Sequence, residues 1–137
     1  MTGLAVRTKT LTLKEGKKPY GVITGIIGMA SESLTGSMVI SFSESCILRI
    51  YAKMTASYEK ERIDSEVIDG VGELTNMICG GAKNRLAKMN MKFDLAIPAT
   101  IMGRDVEIGY MKEVPTIVIP FATEAGNFVV EANLAKK

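Results

Sequence analysis

The stretch DSEVIDGVGELTNMICGGAKNRLAKM, residues 64–89, organises the rest of the chain. At about 100° per residue, Val67, Val71, Leu74, Ile78, Ala82, Leu86 and Met89 fall on one stripe. The spacing predicts a long helix over 64–89, N-capped by Asp64, that docks this stripe on a sheet. Asp69, Glu73, Asn76, Gly80 and Lys83 fall on the opposite side and face solvent.

Most helices in such folds bury a stripe, and an exposed charge on a helix is usually only solvated. Two details lift this polar face above that reading. The helix contains Gly70, Gly72, Gly80 and Gly81, and an interior glycine costs roughly 1 kcal/mol relative to alanine. Giving up that much helix propensity suggests backbone that something must approach closely. Gly80 lies one turn beyond Asn76, so the surface beside Asn76 is flat and open. The second detail is the pair itself. Glu73 and Asn76 are i, i+3 neighbours, and the position four residues after Glu73 holds Met77, not the Lys or Arg of an ordinary helix ion pair.

Outward from this helix, Ser43 opens a shorter one, SESCILRIYAKM, with Ile47, Leu48, Ile50, Tyr51 and Met54 on its apolar side. A polar connection, residues 55–62, joins the two. Before them, YGVITGIIGMA (20–30) and GSMVISF (36–42) are β-branched and punctuated by glycine, and read as a hairpin turning through residues 32–36. Residues 4–14 alternate with poorly distinguished faces, as an edge strand does. After the long helix come a strand over 93–97 ending at Pro98 and a segment around 101–110. VPTIVIPF and NFVVEANL then form a C-terminal hairpin through Thr123-Glu124-Ala125-Gly126. The order β-β-β-α-α-β-(β)-β-β indicates an α+β fold on a mostly antiparallel sheet, with residues 1–137 as one domain.

Composition narrows the chemistry. Lys and Arg number 17 against 15 Asp and Glu, a balance that gives no electrostatic case for nucleic acid or a membrane surface. No segment reaches membrane-spanning length and no apolar leader stands at the N-terminus, so the expectation is a soluble cytoplasmic protein. Histidine is absent, which excludes imidazole general bases, Ser–His and Cys–His nucleophile pairs, and His-containing zinc sites. Cys46 and Cys79 lie inside helical patterns and read as buried thiols in a reducing compartment.

Asp69-x-x-x-Glu73-x-x-Asn76, followed by Gly80 and Lys83, resembles the signature helix of the CheC/CheX/FliY phosphatases, which remove phosphate from the chemotaxis response regulator CheY. YGVITGIIGMA, GSMVISFSES, the strand end at Pro98 and TIVIPFATEAGNFVVEANL are similar to that family in the same order, from about residue 18 to residue 134. A single Glu-x-x-Asn helix resembles the CheX branch, since CheC carries two; Glu124 and Asn127 repeat the spacing but sit in a predicted turn. The resemblance implies a CheC/CheX-like α+β fold with two helices on the sheet, and a phosphatase acting on the phospho-aspartate of a CheY-like response regulator in two-component signalling. In that chemistry Asn76 orients the attacking water, and in-line attack through a loose transition state needs positioning more than a strong base. A neutral carboxamide adds no charge beside the phosphoryl oxygens. Glu73 pairs with the receiver's active-site lysine, Asp69, Gly80 and Lys83 contact the partner, and the Mg2+ belongs to the receiver, so this chain binds no cofactor of its own. The resemblance further implies a homodimer formed by sheet pairing.

The chain departs from the family in two places. The family's N-terminal helix is missing or cut, with Met1-Thr2-Gly3 resembling its end, and the interval from Asn76 to Pro98 is one residue short, a difference assigned to the turn at 90–92. Two rival readings use the same residues. One is a non-catalytic module that docks on a receiver or flagellar-switch partner through this helix; the other is a structural oligomer whose polar face is merely solvated.

Overall fold

Alternating β-branched and small residues set the centre of the sheet, because each such strand gains one apolar face to bury. The computed structural model describes residues 6–8, 10–16, 18–108 and 114–137. Strands β1 (Val6–Thr8), β2 (Thr12–Leu13), β3 (Ile23–Ala30) and β4 (Leu34–Phe42) are followed by helices α1 (Glu44–Thr55) and α2 (Ser65–Ala87). Strands β5 (Asp94–Leu95), β6 (Ala99–Met102), β7 (Ile117–Thr123) and β8 (Gly126–Lys136) come after them. They form one sheet in the order β1-β7-β8-β4-β3-β5, with β2 also on β7 and β6 also on β3. Every pairing is antiparallel. This is the α+β arrangement of two helices on an antiparallel sheet that the sequence predicts.

The β3–β4 hairpin runs from Ile23 opposite Phe42 to Ala30 opposite Thr35. Ser31 closes it: its N–H donates to the Leu34 carbonyl at 2.8 Å, and its hydroxyl accepts from the Leu34 N–H at 3.0 Å. The turn is therefore tighter than residues 32–36, and Gly36 falls inside β4. A Cβ there would lie 1.9 Å from the Asn133 carbonyl oxygen on β8. That glycine serves close strand approach, which looks like a turn signal in the sequence.

Both helices pack on one face of the sheet. Their N-caps are as predicted: the Ser43 hydroxyl accepts from the Cys46 N–H at 3.3 Å, and the Asp64 carboxylate from the Val67 N–H at 3.0 Å. Between helices and sheet lies an apolar core that includes Ile23, Ile27, Ile40, Phe42, Ile47, Val71, Leu74 and Val130, each less than a tenth exposed. Cys46 and Cys79 are buried in it, and desolvation pushes both thiols up to about 11.

The other face of the sheet also has buried residues, and beside Val39 and Val118 several of them are polar. Strand alternation puts Thr24, Ser41, Glu131 and Asn133 on the side away from the helices. All four are nearly inaccessible. Thr24 and Ser41 share a hydroxyl hydrogen bond at 3.1 Å, and the Asn133 amide donates to the Thr116 hydroxyl at 3.0 Å. The Lys14 ammonium reaches the Glu131 carboxylate at 2.7 Å, with side chains only 3% and 0% exposed. The same ammonium donates to the Lys18 carbonyl and lies 3.7 Å from the centre of the Tyr20 ring.

Several boundaries differ from the sequence reading. The long helix stops at Ala87, after which Asn90 takes φ +64°, so Met89 leaves the buried stripe and is 68% exposed. Thr75 and Cys79 sit in the stripe instead. Of the predicted edge strand over 4–14, the described residues form two short pieces, both paired to β7. The 93–97 strand shrinks to Asp94–Leu95, and among the described residues of the segment predicted around 101–110 the strand is Ala99–Met102. Met1-Thr2-Gly3, the place of the implied helix end, and Tyr110 lie outside the described residues.

Candidate functional site

The seat of α2 fixes which of its residues reach solvent. Thr75 is fully buried, and its hydroxyl donates to the Val71 carbonyl at 2.7 Å, the usual local bond of a helical threonine. Beneath it lies Gly25, where a Cβ would fall 1.9 Å from that hydroxyl oxygen. The helix thus rests directly on strand backbone. On the flank toward α1, Gly70 faces the Tyr51 ring, which a Cβ would meet at 2.8 Å; on the other flank Gly72 faces the Thr100 hydroxyl, 3.5 Å from a Cβ. These contacts on three sides set the rotation of α2 and aim the polar stripe outward.

The four glycines accordingly divide. Gly70 and Gly72 are approached by the chain's own residues, whereas a Cβ on Gly80 or Gly81 would have nothing within 4 Å. Close approach by a partner is therefore a reading that only Gly80 and Gly81 can carry.

Asp69, Glu73 and Asn76 are exposed, and Gly80 and Lys83 half-buried, all on the same side of α2. Sequence reasoning grouped these five, and the structure keeps them together on that one face. Among the described residues, none takes a hydrogen bond or ion pair from the side chain of Asp69, Glu73, Asn76 or Lys83. Their neighbour Glu66, in contrast, lies 3.6 Å from the Lys60 ammonium and 3.4 Å from the Tyr51 hydroxyl. A shallow cleft of about 320 Å³ runs between the helices beside Glu73, lined by Tyr51, Met54, Glu66, Asp69 and Gly70. A larger groove of about 690 Å³ lies elsewhere along α1, between Arg49, Tyr58 and Glu124, and touches none of the five.

Two contacts give the direction of α2 over the sheet. Thr75 stands over Gly25, while the Cys79 thiol lies 3.8 Å from the Met38 sulfur, and Met38 pairs with Ile27. The helix therefore advances in the direction of β3 and against β6, which is antiparallel to it. Ile97 is 91% exposed and Met77, next to Asn76, 43% exposed. The sequence reading named Pro98 only as a strand end and did not single out Ile97; isolated surface apolar residues carry no periodic signal.

Chemically, the face offers a carboxylate and a carboxamide one turn apart, open to water on a rigid helix. The two thiols are buried and protonated at neutral pH, which removes them as nucleophiles. The second Glu-x-x-Asn spacing is turn chemistry: Gly126 has φ +126°, the Ala125 N–H donates to the Thr123 hydroxyl at 3.1 Å, and that hydroxyl donates to the Gly126 carbonyl at 2.8 Å. Among the described residues, no three Cys, Asp or Glu side chains converge to hold a metal ion, and no helix is long and apolar enough to cross a membrane.

An antiparallel sheet that carries two helices on one face and shows a Glu-x-x-Asn pair on the outer side of the second defines a CheC-like architecture. The family model described as chemotaxis phosphatase CheX matches residues 23–122, and the chain belongs to that family. A CheY-P phosphatase CheX from Thermotoga maritima is 28% identical over 100 residues, spanning 73% of this chain and 63% of that protein. Among solved structures, a CheC-like superfamily protein from Shewanella sp. PV-4 is 36% identical, with TM-score 0.87 over 98% of this chain and 87% of that one. Chemotaxis protein CheX from Vibrio vulnificus is 34% identical, with TM-score 0.86 over 98% and 89% of the two chains.

Proposed function

We propose that this chain hydrolyses the phospho-aspartate of a CheY-like response regulator, with Asn76 orienting the attacking water and Glu73 pairing with the receiver's active-site lysine. The observation that carries the reading is the Glu73–Asn76 pair itself: exposed, without side-chain partners among the described residues, and held by a helix whose rotation the sheet fixes. Positioning is what this chemistry needs, since the acyl phosphate is already activated and attack through a loose transition state requires little base strength. Membership of the CheX family and the likeness to a named CheY-P phosphatase support the same substrate class.

In this reading Asp69, Gly80 and Lys83 contact the receiver around the reacting pair. The Mg2+ and the lysine that bind the phosphoryl group are the receiver's, and this chain supplies no cofactor. The protein acts in the cytoplasm as a homodimer formed by sheet-edge pairing, for which β1 and β2 at one border and β5 and β6 at the other are the available strands. Sedimentation of the purified chain checks the dimer.

The deciding experiment follows decay of a phosphorylated CheY receiver with and without the protein. Wild type accelerates release, and Asn76→Ala lowers that acceleration by about 100-fold, the scale of a lost positioning contact, while binding to the receiver persists. Equal rates for wild type and Asn76→Ala at saturating protein would leave a docking module for a receiver or flagellar-switch partner and no enzyme.

A further inference from the structure

We propose that Thr75 is a positioning residue for the hydrolysis: lodged in the notch that Gly25 leaves in β3, it fixes the height and rotation of α2 where Asn76 turns out to solvent. The inference rests on the phosphatase reading and adds to it the residue that aims the water-orienting carboxamide.

Size shows why the seat of the helix matters to the chemistry. From Asp69 to Lys83 the outer face of α2 is about 21 Å long and about 10 Å wide. Such a strip covers only a fraction of the roughly 800 Å² that each partner buries in a stable complex. A receiver docked on it therefore rests also on elements beside α2, and these share in setting the pose of its phosphoryl group. Asn76 moves with α2 alone. Its carboxamide lies about 5–6 Å from the helix axis, so a rotation of about 10° displaces it by about 1 Å. A misplacement of that size can cost on the order of 100-fold in rate.

Three contacts seat the helix, and they are unequal. The Tyr51 ring opposite Gly70 is half-buried and can yield toward solvent, and a methyl on Gly72 would meet the Thr100 hydroxyl at an ordinary 3.5 Å. Gly25 cannot yield, because β3 holds it between Ile40 on one side and Thr100 on the other. A Cβ there would lie 1.9 Å from the Thr75 hydroxyl oxygen, 3.0 Å from its Cβ and 3.2 Å from its methyl, so the whole Thr75 side chain fills the notch. Thr75 is fully buried, and the 2.7 Å bond from its hydroxyl to the Val71 carbonyl selects one of the two rotamers open to a helical threonine. The hydroxyl oxygen is thereby held as the atom closest to the strand. Asn76 is the next residue along the chain, so a shift at Thr75 reaches the carboxamide through one peptide unit.

The test uses the full chain and phosphorylated CheY receiver, with kcat and KM corrected for the folded fraction. Thr75→Ala empties the notch and lets α2 settle; kcat falls about 10-fold, the scale of a displacement of a fraction of an ångström, while KM is nearly unchanged. Thr75→Ser keeps the hydroxyl in the notch and retains most of the wild-type kcat, although it too loses a buried methyl. Ser41→Ala, which breaks the hydroxyl pair with Thr24 on the far face, lowers stability and leaves kcat unchanged. Gly25→Ala lowers kcat as Thr75→Ala does, and the double variant, in which the added methyl meets a trimmed neighbour, loses less than the product of the two. Unchanged kcat in Thr75→Ala overturns the proposal, as does a loss in Thr75→Ser or Ser41→Ala as deep as in Thr75→Ala. A double variant that loses the full product also overturns it. If Gly25→Ala does not fold, the Thr75 series decides alone. If wild type does not speed decay of the receiver, the phosphatase reading fails, and the seat is read from the backbone amide resonances of Asp69 and Gly80, away from the substituted side chain. Movement of both in Thr75→Ala but not in Thr75→Ser then sustains the seat, and equal spectra in the two variants overturn it.

Discussion

The two faces of the sheet both bury side chains but differ in what they bury. The helix side is apolar, with a glycine admitting a threonine so that α2 can rest on strand backbone. The far side holds Thr24, Ser41, Glu131 and Asn133 in hydrogen bonds and the Lys14 ion pair. Close apolar packing passes a displaced group on to its neighbours, whereas a buried ion pair is costly chiefly when one partner alone is removed. The difference separates what holds the molecule together from what aims its reactive pair.

Substitutions on the two faces should therefore decouple stability from activity. The largest effect belongs to the polar face: Lys14→Met removes the ammonium from the buried Glu131 carboxylate and should cost about 3–5 kcal/mol in urea unfolding. The folded fraction should keep its phosphate-release rate. On the helix face Gly25→Ala forces a methyl onto Thr75 and should cost less, about 1–3 kcal/mol, but it lifts α2 and lowers the rate more than its unfolded fraction explains. If both variants lose rate in proportion to stability, the distinction between the faces fails. Gly80→Ala meets no neighbour and should stabilise the chain by up to about 1 kcal/mol, with weaker receiver binding if the partner uses that open backbone.

The smallest effect concerns the cap of α2. A hydrogen bond from Lys60 at 2.6 Å, together with that from the Val67 N–H, holds the Asp64 carboxyl below the usual carboxylate range. A carboxyl lowered in the folded state stabilises it above about pH 4, where the unfolded group is ionised, and loses that contribution as the pH falls through the lowered folded value. Asp64→Ala should thus lower the thermal midpoint at pH 7 and differ progressively less from wild type below pH ~4.

The outward face of α2 was legible because helical periodicity alone sorts Glu73 and Asn76 from Val71 and Leu74. Its end was not: Met89 kept the period in sequence, but the chain had already turned at Lys88 and Asn90, a boundary set by local backbone conformation. Gly36 misled for the opposite reason, since a glycine needed for strand approach has the same letter as one needed for a turn. The Lys14–Glu131 pair was invisible, as it joins a strand of indistinct faces to a polar position of a predicted hairpin, and only tertiary structure brings them together. Ile97 gave no pattern at all, since a single exposed apolar residue leaves no periodicity behind.

Strand β8 lies between β4 and β7 in the middle of the sheet, although it is the last element in chain order. During synthesis both helices and the β3–β4 hairpin leave the ribosome well before the strand that fills the gap beside them. Until β8 emerges, β4 has an open edge and the α1 core lacks Phe128 and Val130. The nascent chain therefore carries an exposed apolar sheet edge, the kind of surface that chaperones bind, and the complete sheet closes only in the final step of translation of this region.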